Sequence, residues 1–516
     1  MKKRVLILGA GFMQGIAISC AKEKGWEVVA VDGNPQAVCK DLAHRFEPID
    51  LKDLHGLSVL ARSLKDNGGL DGVFTAATDF SASVAWVASE IGLPGHSYEA
   101  ACNASDKIRM RSCFARDGVP SPLFISVNAD SRSSVSKRIA EKGIRYPFIV
   151  KPVDNMGGRG CRRVSSESEL DPALSDALVF SRSGTAIIEE IMEGPEFSVE
   201  GLFYDNCLHI TGLADRHIYF PPYFIEMGHT IPSSCSLEIE SEIYSVFDAG
   251  IRSLGLSHGA VKGDIKLTPR GVMIGEIAGR LSGGYMSGWT FPYSSGVDLT
   301  SAALDLAVGN SKTVDLTPPL HLISAERAWI SIPGRIAYVS GIQKARTIPF
   351  VRDIYPRLTE GNTAVFPQNN VEKAGNCIAV APTREEAIFA AEQACREIFV
   401  RLLPNVKETD LYINSGPLGP GHFPPDAFDI PLESLKSEPV VHSPDSFYIP
   451  KALSPFLDTA KDWQGRTLRE SLQMAVSVEE QIGEILSNSQ DKSFLLLWKA
   501  LIRGGVQALV YVYDSY

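Results

Sequence analysis

His258-Gly259-Ala260-Val261-Lys262-Gly263-Asp264-Ile265-Lys266-Leu267, followed by Gly271-Val272-Met273-Ile274-Gly275-Glu276-Ile277-Ala278-Gly279-Arg280-Leu281-Ser282-Gly283-Gly284, is the stretch whose reading decides the fold. Apolar and polar residues alternate along both arms, the period-two pattern of a half-buried β-hairpin. On such a hairpin Asp264 and Glu276 lie side by side. A carboxylate within an apolar strand is costly to bury unless it is paired or metal-bound. Two of them together suit Mg²⁺, which takes oxygen ligands and shares them with nucleotide phosphates. Arg280 and the Gly283-Gly284 turn follow at once. A guanidinium there stands beside the metal, where it can neutralise a carboxylate or its phosphorylated form.

Working towards the N-terminus, Ile149-Val150-Lys151-Pro152 precedes Asp154-Asn155-Met156-Gly157-Gly158-Arg159-Gly160. A lysine ending an apolar strand reaches into a site as a point charge for phosphate. The glycine-dense loop after it can fold over phosphates and donate backbone N–H groups. No GK[ST] closes the loop, so it is not a Walker loop. Ile187 to Glu200 reads as a strand, a linker and a second strand carrying acids. Backbone groups of such a linker pair with an adenine edge, and a carboxylate accepts two ribose hydroxyls. Taken singly, a surface lysine in a turn and an acidic hairpin explain the same residues.

Residues 1 to about 100 alternate short β-branched strands (Val5–Leu8, Val28–Val31, Val73–Ala76) with helices (about Met13 to Lys24, and Ser81–Ile91), which predicts a parallel sheet covered by helices. The first loop, Gly9-Ala10-Gly11-Phe12-Met13-Gln14-Gly15, and Asp32 at the end of the second strand invite a dinucleotide reading. The spacing is GxGxxxG, not GxGxxG, and close packing of strand against helix also calls for glycine.

The 516 residues exceed one core and predict roughly three to five domains or subdomains. A net charge of −11 with dispersed Lys and Arg offers no footprint for nucleic acid or an anionic membrane. Nine scattered cysteines without a CxxC pair read as reduced thiols of a cytoplasmic protein. Phe494 to Tyr513 is the most apolar stretch; Lys499, Arg503 and the Gly504-Gly505 break predict a buried helix and then a strand, not a membrane span. The chain from Thr383 to Leu403 reads as one helix, as does Thr467 to Ser487, and Pro417 to Pro455 as an irregular connection.

In order and spacing these elements resemble the ATP-grasp superfamily: biotin carboxylase, the carbamoyl phosphate synthetase large chain and, most of all, the L-amino acid ligases. The resemblance covers roughly residues 1–410 and includes Asp32-Gly33-Asn34-Pro35 and Ala77-Thr78-Asp79. It implies an α/β and α+β multidomain chain: a pre-ATP-grasp parallel-sheet domain at 1–102, an ATP-grasp domain at 103–317 and a C-terminal α+β subdomain at 318–412. Within the second, the lid is about 103–187 and the metal and nucleotide subdomain about 188–317. A mostly helical region at 413–516 lies beyond it, open to pocket completion, dimerisation or docking of a carrier protein.

Carried across, Lys107 and Lys151 match the phosphate-binding basic positions, and Gly157, Gly158 and Gly160 the mobile loop. Glu189, Glu190 and Met192 border the adenine linker, and Glu196 matches the ribose-binding acid. Asp264 and Glu276 match the metal carboxylates, and Arg280 the arginine that steadies an acyl phosphate. His229, in Glu226-Met227-Gly228-His229-Thr230-Ile231-Pro232, resembles a GHxxP loop beside the substrate. Aromatic residues near the cleft, such as Phe220, Tyr223, Tyr285 and Trp289, would admit an apolar or aromatic part of the substrate, and core packing explains them equally well. The motif ExNxR departs here, because Ala278 holds the middle position and a second metal loses a side-chain ligand.

The resemblance thus implies a ligase that uses ATP and Mg²⁺ (or Mn²⁺ in its place) to join a small carboxylate, such as an amino acid, to an amine through an acyl phosphate. A homodimer is the default assembly. The alternatives are a biotin-carboxylase-like enzyme making carboxyphosphate from bicarbonate and a catalytically silent nucleotide-binding scaffold.

Overall fold

The first 324 residues are laid down as three sheets, each built from the alternation read above. The computed structural model describes residues 2–431, 440–442 and 447–515. The chain divides into two compact units: Met1–His217 with His229–Ser324, and Ile218–Gly228 with Ala325–Tyr516.

In the first unit β1 (Arg4–Leu8), β2 (Glu27–Val31), β3 (Arg45–Glu47) and β4 (Gly72–Phe74) form a parallel sheet in the order β3-β2-β1-β4. Helices Phe12–Glu23 and Ser81–Ile91 fall where the sequence predicts them. A second sheet, the lid, joins β5 (Phe124–Val127), β6 (Phe148–Pro152), β7 (Arg162–Val164) and β8 (Ala186–Glu190) in the order β5-β8-β6-β7. Phe148, Val150 and Val164 bury one face of it beneath helix Glu167–Phe180. By the period of two, Ile149 and Lys151 take the other face.

The third sheet carries the hairpin. Strands β9 (Glu196–Tyr204), β10 (Cys207–Tyr219), β11 (Ile225–Ile231), β12 (Gly259–Thr268) and β13 (Gly271–Ala278) run in the order β13-β12-β9-β10-β11. Phe197, Val199, Val261, Ile265, Ile274 and Ile277 pack against helices Lys107–Asp117 and Leu237–Leu254. The approach is close. A Cβ on Gly263 would meet the Phe247 ring at 2.7 Å. The polar residues of β9, β10, β12 and β13 are thereby left together on the opposite face.

The second unit holds β14 (Ile323–Trp329), β15 (Gly334–Ser340), β16 (Val351–Pro356), β17 (Thr363–Ala364), β18 (Gly375–Ala381) and β19 (Phe399–Leu402). The expected helix from Thr383 to Leu403 is helix Arg384–Glu397 followed by β19. The Phe399-Val400-Arg401-Leu402 run pairs with β15 instead of extending the helix. The helix expected over Thr467 to Ser487 is split at Glu479, whose φ of −151° is extended, into Leu468–Val478 and Gln481–Leu486.

The strand expected after Gly504-Gly505 is a correction as well. Phe494–Ser515 is helical on both sides of a kink at these two glycines. Burial overrides the β-branched composition of Val510 to Val512. This helix is long and apolar enough to cross a membrane by composition, with 78% of its most apolar window buried in the protein. Its Arg503 ion-pairs with Asp426 at 3.0 Å, both side chains buried, and lies 4.0 Å from the centre of the Tyr412 ring. One hydrophobic core runs from Trp329 and Ile336 through Trp498 and Leu509, so residues on both sides of position 413 share it. The stretch from Pro417 to Pro455 lies partly outside the described residues.

Candidate active site

The hairpin register decides the geometry. Asp264 pairs directly with Glu276, and Lys262 with Ala278, across β12 and β13. On β9, Ser198 opposes Asp264, Glu200 opposes Lys262, and Glu196 opposes Lys266. On β10, Arg216 opposes Glu196. One face of the sheet therefore presents three short rows: Arg216, Glu196, Lys266; then Ser198, Asp264, Glu276; then Glu200, Lys262, Ala278.

Cations converge on Glu276. Lys107 Nζ, nearly buried at the start of helix Lys107–Asp117, lies 3.6 Å from its Oε1 and donates to the carbonyl of Asn155 at 3.0 Å. Asp106 caps that helix by accepting from the N–H groups of Ile108 and Arg109. Burial by itself would raise the Glu276 carboxyl. Lys107, Lys151, Lys262 and Arg280 outweigh it and hold the group down at about 2. Burial likewise opposes the charge of Lys107, but Glu276, Asp79 and Glu189 together raise its affinity for the proton. The Glu276 side chain remains about one third exposed (34%).

Glu189 is the opposite case. It lies on β8, 2% exposed, with Lys151 Nζ 2.7 Å from one oxygen and Arg111 Nε 2.8 Å from the other. Arg111, fully buried, also donates to the carbonyl of Gly275 at 2.6 Å, tying the lid strand to the hairpin. Burial raises the Glu189 carboxyl, and the two cations more than reverse it. Thus Glu189 orients Lys151. Glu190 points elsewhere, accepting from the N–H of Leu123 and pairing with Arg270 at 2.6 Å. Met192 is buried in the linker. Gly194, with a φ of +132°, brings that linker so close to β12 that a Cβ would lie 2.0 Å from the carbonyl of Leu267. Only glycine fits there.

The loop over the site is built on glycine too. Gly157, Gly158 and Gly160 all take positive φ (68°, 79° and 66°). Its base is pinned by Asp154, which accepts from Ser181 Oγ, Arg182 N and Ser183 N. Glu196 pairs with Arg216 and, at 3.1 Å, with Lys266. Arg280 Nη2 lies 3.5 Å from Asp79 Oδ1, and its buried Nε has no hydrogen-bond partner. The segment after Arg280 is fixed from the parallel sheet: Leu281 bridges Ala76, and its carbonyl accepts from Ala77 N. Glu200, also buried, accepts from Ser282 N and Ser287 Oγ and so holds the next turn.

His229 lies in a strand, not in the loop expected. It belongs to β11, is 1% exposed, and its Nε2 is 2.6 Å from Thr290 Oγ1. The four aromatic residues separate. Tyr285 and Trp289 pack with Phe12 in the first unit, while Phe220 and Tyr223 join Phe366, Phe423 and Trp463 in the second.

The first glycine loop offers no cradle for a dinucleotide. Gln14 fills it: a Cβ on Gly9 would meet Gln14 Cγ at 2.9 Å, and Gln14 Oε1 accepts from Gly11 N. Both oxygens of Asp32 accept backbone N–H groups, of Ala10 and Asn34. Sequence reasoning missed Arg111, Lys262, Arg216 and Glu200. For Lys262, Arg216 and Glu200 the signal was present, because each falls on the polar face of its strand at the period of two; Arg111, in a polar helix, gave none.

Residues 144–288 match the model of the ATP-grasp domain, and residues 328–415 that of the L-amino acid ligase C-terminal domain 2. An uncharacterised protein of Sinorhizobium fredii is 26% identical over 68% of this chain and 72% of its own length. The carbamoyl phosphate synthase large chain of Kocuria rhizophila is 26% identical over 76% of this chain. The match spans only 36% of that longer protein. The crystal structure of L-amino acid ligase from Bacillus licheniformis superposes with a TM-score of 0.66 at 18% identity, covering 78% of this chain and 99% of that one. That likeness shows the fold, and it leaves about a fifth of this chain without a counterpart.

Proposed function

Since the chain carries an ATP-grasp domain, we propose that it is an ATP-dependent, ADP-forming ligase that joins a small carboxylate, such as an amino acid, to an amine through an acyl phosphate. The observation that carries this reading is Glu276, a carboxylate one third exposed with Lys107 3.6 Å away, opposite Asp264 in the hairpin register and held ionised by Lys107, Lys151, Lys262 and Arg280. Such a field suits a triphosphate with a divalent cation.

A carboxylate resists amines because its charge repels them and oxide is a poor leaving group. Phosphorylation removes both obstacles. Lys107 and Lys151 hold the phosphates, the latter aimed by Glu189, while the glycine loop at 155–160 closes over them and keeps water from the acyl phosphate. The linker around Met192 offers its backbone to adenine, and Glu196 is the acid for ribose. Arg280, braced by Asp79, neutralises the carboxylate as it attacks and the acyl phosphate afterwards. His229 is assigned to the substrate side by the resemblance of its GHxxP segment, with its ring held by Thr290. The residues fit Mg²⁺: Glu276, with Lys107 no closer than 3.6 Å, keeps oxygen free for an ion, and Asp264 stands opposite. When bound, the ion supplies further neutralisation of phosphate charge.

The test is ADP release from ATP and Mg²⁺ across a panel of carboxylates, amino acids and bicarbonate, with hydroxylamine as trap. Hydroxamate with one carboxylate supports the reading and names half the substrate pair. Turnover driven by bicarbonate alone would replace it with carboxyphosphate chemistry. No turnover with any carboxylate, despite ATP binding, would leave a scaffold.

A further inference from the structure

Asp264 and Glu276 face one another across the hairpin, yet they are not equivalent as ligands. Glu276 keeps Lys107 at 3.6 Å and is a third exposed. The Oδ1 of Asp264 is already crowded. It lies 2.5 Å from Lys262 Nζ and 3.0 Å from Arg216 Nη1, and it accepts from the Ser198 hydroxyl at 3.3 Å. Two residue pairs further along the hairpin, on the same face, the neighbours are Lys262 on β12 and Ala278 on β13, directly opposite in register. The next residue in that row, Glu200 on β9, is 1% exposed, with Oε1 committed to Ser282 and Ser287 and Oε2 buried without a hydrogen-bond partner.

We propose that this site takes one divalent cation with its nucleotide, and that the Lys262 ammonium supplies the charge a second metal ion would otherwise bring beside Glu276. The proposal rests on the nucleotide reading given above and deepens it.

Two ions that share a phosphate site stand roughly 3.5–4 Å apart and each needs its own oxygen ligands. Hard cations such as Mg²⁺ accept carboxylate, carbonyl or water oxygen, not an ammonium or a methyl group. Beyond Glu276 the hairpin offers a methyl on one strand and a cation on the other. A second divalent ion placed there would find no oxygen ligand at either hairpin position, and it would meet Lys262, which stands between it and the buried Glu200, as a like charge. The ammonium itself can donate to phosphate oxygen from the same position, as a fixed charge that needs no ion to be recruited. The small residue and the lysine thus form one arrangement, because the side chain missing at 278 lies opposite the cation.

The measurement is a count of Mn²⁺ bound per full-length chain in the presence of saturating ADP, read from the loss of the free-ion electron paramagnetic resonance signal. The expected count is one. A count of two overturns the proposal. The paired variant Lys262→Ala with Ala278→Asn removes the cation and restores an oxygen ligand, so its count rises to two while a circular-dichroism melt confirms that it is folded. A folded paired variant that stays at one overturns the role given to Lys262. If ADP does not bind and changes no Mn²⁺ uptake, the nucleotide reading itself fails and carries this proposal with it.

Discussion

Glu189 on the lid and Glu276 on the hairpin share Lys151 and Lys107 as neighbours, and the chain treats them in opposite ways. Glu189 is closed: each oxygen has its own cation within 2.8 Å, and 2% of the side chain is exposed. Glu276 is open: its nearest cation is 3.6 Å away and a third of the side chain is accessible. A buried carboxylate with both oxygens spoken for is positional, because bringing it a further ligand would mean breaking an ion pair in low dielectric. A carboxylate held ionised by a surrounding field, but not in contact with it, is left ready for a ligand. The difference separates the residue that aims Lys151 from the one proposed to meet nucleotide and metal.

The largest expected effect falls on the open carboxylate. Glu276→Ala should lower ADP formation by about 10³-fold or more while leaving the melting transition in place. Near-normal turnover by the folded variant would break the contrast from one side. Breaking it from the other side means unpairing the closed carboxylate. Arg111→Leu should cost about 3–5 kcal/mol in urea denaturation, because it strips one buried partner from Glu189. A loss under about 1 kcal/mol would show that Lys151 alone satisfies Glu189. Arg280→Ala should reduce hydroxamate formation by about 10²-fold, with the ADP dissociation constant changed by less than about threefold. Calorimetry showing lost nucleotide affinity with intact ligation would remove the acyl phosphate role.

The smallest effect is in pH. Glu276 is depressed from 4.5 to about 2, so its contribution to stability is fully present above 4.5 and is lost as pH falls through 2. Its partial exposure keeps that contribution small. The denaturation midpoint of Glu276→Gln should therefore change less with pH over that window than the parent's, and identical slopes would show that the surrounding cations do not act on this group.

The direct pairing of Asp264 with Glu276 depends on a bulge between Asp264 and Ile265 that shifts the register by one residue, whereas their sharing of the polar face of a hairpin was legible from the strand period of two. The parallel sheet was legible for the same reason. Arg111 was not. On a helix of low mean hydropathy an arginine reads as exposed, and only the meeting of lid strand and hairpin around it reveals a buried ion pair. Lys262 was passed over because a lysine in a half-buried strand reads as a solvent-facing position. His229 was expected in a loop, since Gly228 and Pro232 on either side are turn residues, yet pairing within a sheet keeps it extended. The strand expected after Gly505 failed because Val510 to Val512 carry β propensity, while the helix they form is buried within the second unit's core. The share that residues beyond 413 take in that core could not be read, since it depends on contacts far apart in sequence, such as Asp426 with Arg503.

The central claim is that the carboxylate oxygen becomes bonded to phosphorus, and one measurement addresses it directly. The carboxylate that supports turnover is supplied with both oxygens as ¹⁸O, together with ATP, Mg²⁺ and an amine, and the released phosphate is read by mass spectrometry. The account predicts one ¹⁸O in each phosphate, because the acyl phosphate's bridging oxygen leaves with phosphorus when the amine attacks. Phosphate released without label while amide product accumulates would contradict it.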